Sequence, residues 1–184
     1  MTERPVFTIL GGGNGGFCAT GDLALRGYEV RLYESPTFAY TIEPVIQAGG
    51  ISMRGVAGEG LARPALVTTD IEAALEGADI ILAVVPAMGH KLLARTCAPY
   101  LKGGQILVLA PGCFGGALEF QREFLAHGGS PDILLAETTT FMYAAKKEGG
   151  NGVWARGLKG YLPLAAFPAK CTVEVVERLK PVYP

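Results

Sequence analysis

The sequence predicts an α/β fold in which a mostly parallel sheet is covered by helices on both faces. Short apolar segments alternate with helical patterns along most of the 184 residues, an order typical of parallel sheets. The segment 79–85 is apolar on both faces, as a central parallel strand must be. A glycine-rich turn at 11–16 joins the first strand to the first helix. Together these observations indicate a doubly wound, Rossmann-type domain.

The elements of this fold follow from local patterns. We expect sheet strands where short apolar runs are bounded by turn residues, at 6–10, 29–34, 66–68, 79–85, 105–109 and 133–136. Helical patterns lie at 14–26, 40–48, 71–76, 87–101 and 117–127, and Pro168 begins a last helix. A small hairpin outside this repeat has strands at 51–54 and around Leu61, and we expect further, antiparallel strands at 153–158 and 162–167.

Composition argues against several classes of function. The chain has 16 basic and 17 acidic residues, so bulk charge does not attract nucleic acid or an anionic membrane. Its 4 cysteines are scattered, without a C-x-x-C pair or a Cys/His cluster. This pattern predicts no metal site and suits a reducing compartment. The polar N-terminus lacks a signal-peptide pattern, and the apolar runs are too short to span a bilayer, so we expect a cytoplasmic protein.

The glycine-rich turn is the first motif that points to a ligand. Gly11, Gly13 and Gly16 have the G-x-G-x-x-G spacing of a dinucleotide-binding turn. The first glycine permits a tight turn, the second, in an unusual backbone conformation, leaves room for a pyrophosphate, and the third lets the helix pack close to the strand. With Asn14 and Gly15, these residues begin a helix whose free N–H groups would face the phosphates. The turn therefore predicts a bound nicotinamide or flavin nucleotide.

An acidic residue ends the second predicted strand. Glu34 follows Gly16 by 18 residues, near the ~20 expected of the group that binds the adenosine ribose. Its carboxylate would repel a 2′-phosphate, and residues 35–37 offer no cation to bind one. We therefore expect NAD(H) in preference to NADP(H). The alternative is a surface turn with a solvated Glu34.

Other strand ends supply further candidates, because ligands of open α/β sheets bind outside the carboxyl ends of the strands. The cofactor-binding candidates there are Val85, Pro86, Pro111, Gly112, Glu137 and Thr138. His90 follows Pro86 in the first turn of a helix, whose dipole would lower the pKa of the ring. We expect it to line the cofactor pocket. It is also the one candidate for acid–base catalysis, although the sequence shows no orienting partner.

The segment after Thr138 has two interpretations. Tyr143, Lys146 and Lys147 could face a substrate. A solvated basic turn before Gly149 fits the local composition better.

Several stretches resemble the N-terminal domain of the opine dehydrogenases, of the octopine and nopaline dehydrogenase type. They are 11–34, 85–90, 110–120 and 136–144, with 163–169 continuing the likeness. The resemblance covers nearly the whole chain, and its later stretches are more specific than the glycine turn. It implies reductive condensation of an amino acid with a 2-oxo acid, in which a nicotinamide cofactor delivers hydride to an imine. Where many members have Ala-Cys-Arg, this chain has Ala144-Ala145-Lys146, so no thiol beside the nicotinamide is implied.

The resemblance also implies a domain organisation. Family members carry an all-helical domain after the nucleotide domain, with the catalytic histidine, the aspartate and the substrate-binding residues. We expect 1–167 to be the nucleotide-binding domain and 168–184 to be a linker helix toward a helical domain that is absent or only begun. The amino acid and the 2-oxo acid would be partners through that missing domain. Val175, Val176 and Leu179 of the last helix would then be exposed, which favours a homodimer.

Two other functions remain open at this point. The chain could be a relative of the glycerol-3-phosphate dehydrogenases or ketopantoate reductases, although the stretch 112–120 argues against this. It could also be a stand-alone NAD-binding module that senses the cofactor or regulates a partner without catalysis.

Overall fold

The computed structural model describes residues 4–183, so residues 1–3 and Pro184, at the ends of the two expected domains, lie outside it. Its strands are β1 Phe7–Leu10, β2 Val30–Tyr33, β3 Ile51–Gly55, β4 Gly60–Ala62, β5 Leu66–Thr68, β6 Ile80–Ala83, β7 Ile106–Leu109, β8 Leu134–Thr138, β9 Tyr143–Glu148, β10 Gly152–Leu158 and β11 Leu164–Phe167. Its α-helices are α1 Asn14–Leu25, α2 Glu43–Ala48, α3 Ile71–Leu75, α4 His90–Cys97, α5 Gly116–Ala126 and α6 Thr172–Leu179. Short 3-10 helices precede α2, α4 and α6, at Pro36–Thr41, Ala87–Gly89 and Ala169–Cys171.

The main sheet has seven strands in the order β11-β8-β7-β6-β1-β2-β5. Its neighbouring strands are parallel, except that β11 runs antiparallel to β8. Without β11, the strands have the 3-2-1-4-5-6 order of a Rossmann fold. This confirms the predicted fold class and the antiparallel strand expected near 162–167.

Apolar side chains on the two faces of the main sheet form two separate cores. On one face, Phe7 and Ile9 of β1 pack in a core with Phe17 of α1 and Val175 of α6. On the other face, Leu10 of β1 belongs to a core that includes residues of α3, α4 and α5. Because β1 is buried on both sides, its carboxyl end and the glycine turn after it are held rigidly.

A second sheet covers the outer side of α1. It has four strands in the order β4-β3-β10-β9. The expected hairpin of β3 and β4 and the strand near 153–158 are confirmed. Helix α1 therefore lies between two sheets, which explains why residues 16–23 are all buried.

The preferred interpretation of Lys146 and Lys147 as part of a solvated turn is wrong, because both lie in β9. This strand pairs antiparallel with β10, with Lys147 opposite Val153 and Lys146 opposite Trp154. Tyr143 at its start is buried. Local composition favoured a turn, but pairing with a strand that comes later in the chain fixes this segment.

The last helix packs against the main domain. Val175 is fully buried and Leu179 is 8% exposed, and both lie in the core beside α1. The prediction that these residues form an exposed apolar surface is therefore wrong, because α6 folds back beside β11 and β8. Val173 is the large apolar side chain that this helix exposes. The buried residues of α6 thus give no support to a homodimer, and the domain boundary near residue 167 stays a prediction.

Helix boundaries differ from the predictions at both ends. The helices expected at 40–48 and 87–101 each begin with a 3-10 segment, and α4 ends at Cys97. Asp70 caps α3, accepting hydrogen bonds from the N–H groups of Glu72 and Ala73 at 2.9 and 3.3 Å. No helix in the described part of the chain has the length and apolar character needed to cross a membrane.

Candidate functional site

The glycine turn bends sharply between β1 and α1. Gly11 has a φ of +116°, which favours glycine. A Cβ at Gly16 would lie 1.7 Å from the carbonyl oxygen of Gly11, so only glycine lets the helix pack this close. Gly13 instead has an ordinary extended backbone, with φ of −80°. The prediction of an unusual backbone conformation at Gly13 is therefore wrong. A Cβ at Gly13 would meet nothing within 4 Å, so open space lies above the turn.

The amino end of α1 faces this open space with unpaired donors. Phe17 is the first residue of the helix whose N–H is bonded within the chain, to the carbonyl oxygen of Gly13 at 3.0 Å. The N–H groups of Asn14, Gly15 and Gly16 have no acceptor among residues 4–183. With the positive end of the helix dipole, such groups form an anion-binding site.

The end of β2 brings an acid to the same turn. One carboxylate oxygen of Glu34 accepts a hydrogen bond from the N–H of Gly12 at 2.7 Å, and the other accepts one from the N–H of Ser35 at 2.7 Å. Each oxygen of an ionised carboxylate has a second lone pair that can accept another donor. Glu34 is thus placed beside the turn and retains capacity for a ligand hydroxyl.

A basic residue that the sequence did not assign to this place also contacts the turn. The Nζ of Lys147 donates to the carbonyl oxygens of Gly12 and Thr41, at 3.2 and 3.1 Å. The backbone N–H of Lys147 donates to Oδ1 of Asn14 at 2.8 Å, so Asn14 ties β9 to the start of α1. The sequence of β9, Tyr-Ala-Ala-Lys-Lys-Glu, has no alternation of apolar and polar residues, so it gives no local signal for a strand or for its register.

The ends of β6 and β7 form the next part of the same edge. The N–H of Val84 donates to the carbonyl oxygen of Leu10 at 2.8 Å. A Cβ at Gly11 would lie 3.1 Å from Cγ1 of Val85, so Val85 and the adjacent Pro86 are brought to the turn. Pro111 and Gly112 follow β7, where the N–H of Gly112 donates to the carbonyl oxygen of Thr138 at 3.0 Å.

The two candidates at the end of β8 have partners inside the chain. The carboxylate of Glu137 accepts hydrogen bonds from the N–H groups of Gly115 and Ala117, at 3.2 and 2.8 Å, and thereby caps α5. Thr138 is buried, and its hydroxyl lies 2.8 Å from the carbonyl oxygen of Thr140. Their contact with a dinucleotide stays a prediction.

His90 is buried at the start of α4. Neither ring nitrogen has a hydrogen-bond partner in the described part of the chain. A Cβ at Gly116 would lie only 3.0 Å from Nδ1, so α5 packs directly on the ring. Burial lowers the pKa of His90 below its ordinary value, opposed mainly by the carboxylates of Glu119 and Glu137. A neutral ring was expected, but desolvation rather than the helix dipole is the largest cause.

Comparisons with known proteins find similarity to dehydrogenases. The chain is 35% identical over 184 residues to an opine dehydrogenase of Arthrobacter sp. (strain 1C), a match that covers 100% of this chain and 50% of that protein. It is 31% identical over 181 residues to octopine dehydrogenase of Mizuhopecten yessoensis, covering 93% and 44% of the two chains. The chain is related to the N-terminal nucleotide-binding domain of the opine dehydrogenases. It spans about half the length of these relatives, and no family model matches it.

Solved structures show the same fold. An octopine dehydrogenase structure with NADH and L-arginine superposes with a TM-score of 0.77 at 23% identity, covering 89% of this chain and 42% of that one. A yersinopine dehydrogenase structure with NADP+ bound gives a TM-score of 0.74 at 17% identity, covering 97% and 46%. At these low sequence identities, the structural similarity shows that this chain shares the Rossmann fold with those proteins, and nothing more.

The enzymes considered as alternatives are also similar. A glycerol-3-phosphate dehydrogenase of Nitratidesulfovibrio vulgaris (strain DP4) is 34% identical over 106 residues, covering 55% of this chain and 30% of that protein. A ketopantoate reductase structure from Ralstonia eutropha has a TM-score of 0.70 at 20% identity, covering 95% of this chain and 53% of that one. The opine dehydrogenase match extends over more of the sequence.

Proposed function

We propose that this chain is the nucleotide-binding domain of an opine-type dehydrogenase and that its glycine turn binds the pyrophosphate of NAD(H). One observation carries the proposal. The free N–H groups at the start of α1 face the space above Gly13, where a Cβ would meet nothing within 4 Å. An anionic pyrophosphate fits both the space and the donors.

The neighbouring residues fit the rest of a dinucleotide. Glu34 lies at the adenosine side of the turn, where its free lone pairs can accept the ribose hydroxyls. Val85, Pro86, Pro111 and Gly112 lie at the ends of β6 and β7, on the opposite side of β1, and we propose that they line the nicotinamide side. Glu137 shapes this side through α5, whose first N–H groups it binds.

The reaction that we propose for the whole protein joins an amino acid and a 2-oxo acid. Bound NADH supplies the hydride that reduces the imine between them. The described residues bind and orient the cofactor and cover one side of it. His90 is buried and lacks an orienting partner, so we propose that it supports the wall of the site and leaves proton transfer to residues outside the described range.

Titration with NADH tests the binding site. We expect the parent chain to enhance and shift NADH fluorescence with a saturable dissociation constant. The variant Gly13→Val should fold, because its backbone conformation suits any residue, and should lose binding because the side chain fills the pyrophosphate space. Gly160→Val is the matched control, since a Cβ at Gly160 also meets nothing within 4 Å. Equal NADH affinity of Gly13→Val and the parent would exclude this turn as the phosphate site.

A further inference from the structure

The second sheet delivers a cation to the adenosine side of the site. Lys147 comes from β9, more than 130 residues after the glycine turn, and its backbone N–H is held by Oδ1 of Asn14 at 2.8 Å. The Nζ lies over the ring of Phe17, 3.6 Å from the ring centroid. This packing fixes the ammonium group against the turn instead of leaving it free in solvent.

The contacts of this ammonium group place it on the same residue, Gly12, that the acid contacts. Lys147 donates to the carbonyl oxygen of Gly12 at 3.2 Å, while Glu34 accepts from the N–H of the same Gly12 at 2.7 Å. A second bond, from Lys147 to the carbonyl oxygen of Thr41 at 3.1 Å, closes this side of the site. Residue Gly12 thus has a carboxylate on its N–H and an ammonium group on its carbonyl oxygen.

This arrangement alters the electrostatics that residues 34–37 alone suggest. A carboxylate at the end of β2 repels a 2′-phosphate on the adenosine ribose. A half-buried cation close to that carboxylate attracts the same phosphate and offsets part of the repulsion. The ammonium group of Lys147 donates to two carbonyl oxygens and lies over the ring of Phe17, so it would act on a ligand phosphate through its charge.

We propose that Lys147 is a specificity-determining residue of the cofactor site, which reduces the discrimination of Glu34 against a 2′-phosphorylated dinucleotide. Glu34 sets the preference for NADH over NADPH, and Lys147 limits how large that preference is. The inference rests on the proposed function, because it assumes that the adenosine ribose lies beside Glu34.

The test compares the ratio of the dissociation constants of NADPH and NADH in matched variants. Lys147→Gln removes the charge and keeps an N–H donor for the carbonyl oxygens of Gly12 and Thr41. We expect the NADPH-to-NADH ratio to rise about three- to tenfold in this variant, the size expected of one charge acting at partly solvated range. Lys146→Gln removes the same charge from the neighbouring position of β9, opposite Trp154, and should leave the ratio unchanged.

A purely structural role would give a different result. If Lys147 only held the turn in shape, its loss would weaken the binding of NADH and of NADPH by the same factor. An unchanged ratio in Lys147→Gln would therefore overturn the proposal. Lys147→Arg keeps the charge and should keep the parent ratio. Should Lys147→Gln fail to fold by circular dichroism, Glu34→Gln gives the second test. With the cation retained and the acid neutralised, NADPH must then bind at least as tightly as NADH, and a persistent preference for NADH would refute the inference. Failure of the parent to bind either cofactor would instead refute the proposed function.

Discussion

At the residue scale, the glycines of the turn differ in what a side chain would encounter. Gly11 needs its positive φ and Gly16 its contact with the Gly11 carbonyl oxygen, so side chains there would disturb the fold. Gly15 is confined between Phe141 and Val84, because a Cβ at Gly15 would lie 2.7 Å from a side-chain carbon of each. Gly13 is the position where a side chain would affect ligand space and leave the fold intact. The glycines of one motif are therefore required for separate physical reasons.

His90 gives a prediction on the pH dependence of stability. Burial lowers the pKa of the folded ring below 6.5, so the unfolded chain binds a proton more readily between the two pKa values. The free energy of unfolding should therefore fall as pH drops below about 6.5, by at most about 1.4 kcal/mol per pH unit for one group. His90→Leu should lose this part of the slope in urea titrations from pH 7 to pH 5.

The same substitution has a simple control. Neither ring nitrogen has a partner of normal hydrogen-bond geometry in the described part of the chain, although the backbone of Val85 lies near the ring, so leucine removes little hydrogen bonding. The control His127→Leu makes the same substitution at an exposed helix end and separates the loss of a histidine in general from the loss of the buried ring. Parallel slopes for His90→Leu and the parent would show that His90 does not titrate differently on unfolding.

At the scale of elements, the position of α1 depends on both sheets. Its buried Asp22 accepts a hydrogen bond from the hydroxyl of Tyr143 in β9 at 2.6 Å and pairs with Arg26 at 3.2 Å. Arg26 in turn donates to the carbonyl oxygen of Val182, after α6, at 2.7 Å. This network connects the helix of the glycine turn to the second sheet and to the end of the described chain.

Removing one hydroxyl should measure this connection. Tyr143→Phe leaves a buried carboxylate with one donor fewer, and we expect the free energy of unfolding to fall by about 1.5–3 kcal/mol. Tyr161→Phe removes a hydroxyl from a side chain that is 82% exposed and should change stability by less than about 0.5 kcal/mol. Chemical denaturation of both variants measures these changes in the free energy of unfolding. Equally small changes would mean that the hydrogen bond from Tyr143 to Asp22 contributes little more than a hydrogen bond to water would.

At the scale of the whole molecule, binding and catalysis should separate. We propose that the edge formed by the ends of β1, β2, β6 and β7 binds the dinucleotide, with Lys147 of β9 beside it. In the described range, His90 is buried and has no orienting partner, which leaves acid–base catalysis unsupported. We expect the 184-residue chain to bind NADH without turning over opine substrates.

An assay of NADH absorbance with pyruvate and a panel of amino acids checks this expectation. The absorbance of NADH should stay the same as in a sample without the protein, while NADH fluorescence of the same sample reports cofactor binding. NADH oxidation that requires both substrates would contradict the prediction and would return His90 to consideration as a catalytic group.

The sequence by itself determined the main sheet and the grouping of residues at the centre of the candidate site. The apolar runs of β1, β6 and β7 and the glycine spacing are local patterns, and each specifies an element without reference to distant residues. Because parallel strands in one sheet end at a common edge, the order of these elements also predicts that Gly13, Glu34 and Val85 lie together.

Only the tertiary structure decided what surrounds that centre. The strand character of β9 comes from pairing with β10, and its position against α1 places Lys147 at Gly12, a contact across more than 100 residues. The burial of Val175 and the capping of α5 by Glu137 likewise depend on how distant elements pack. Such contacts are set by the burial of apolar surface across the whole domain, which no local pattern records.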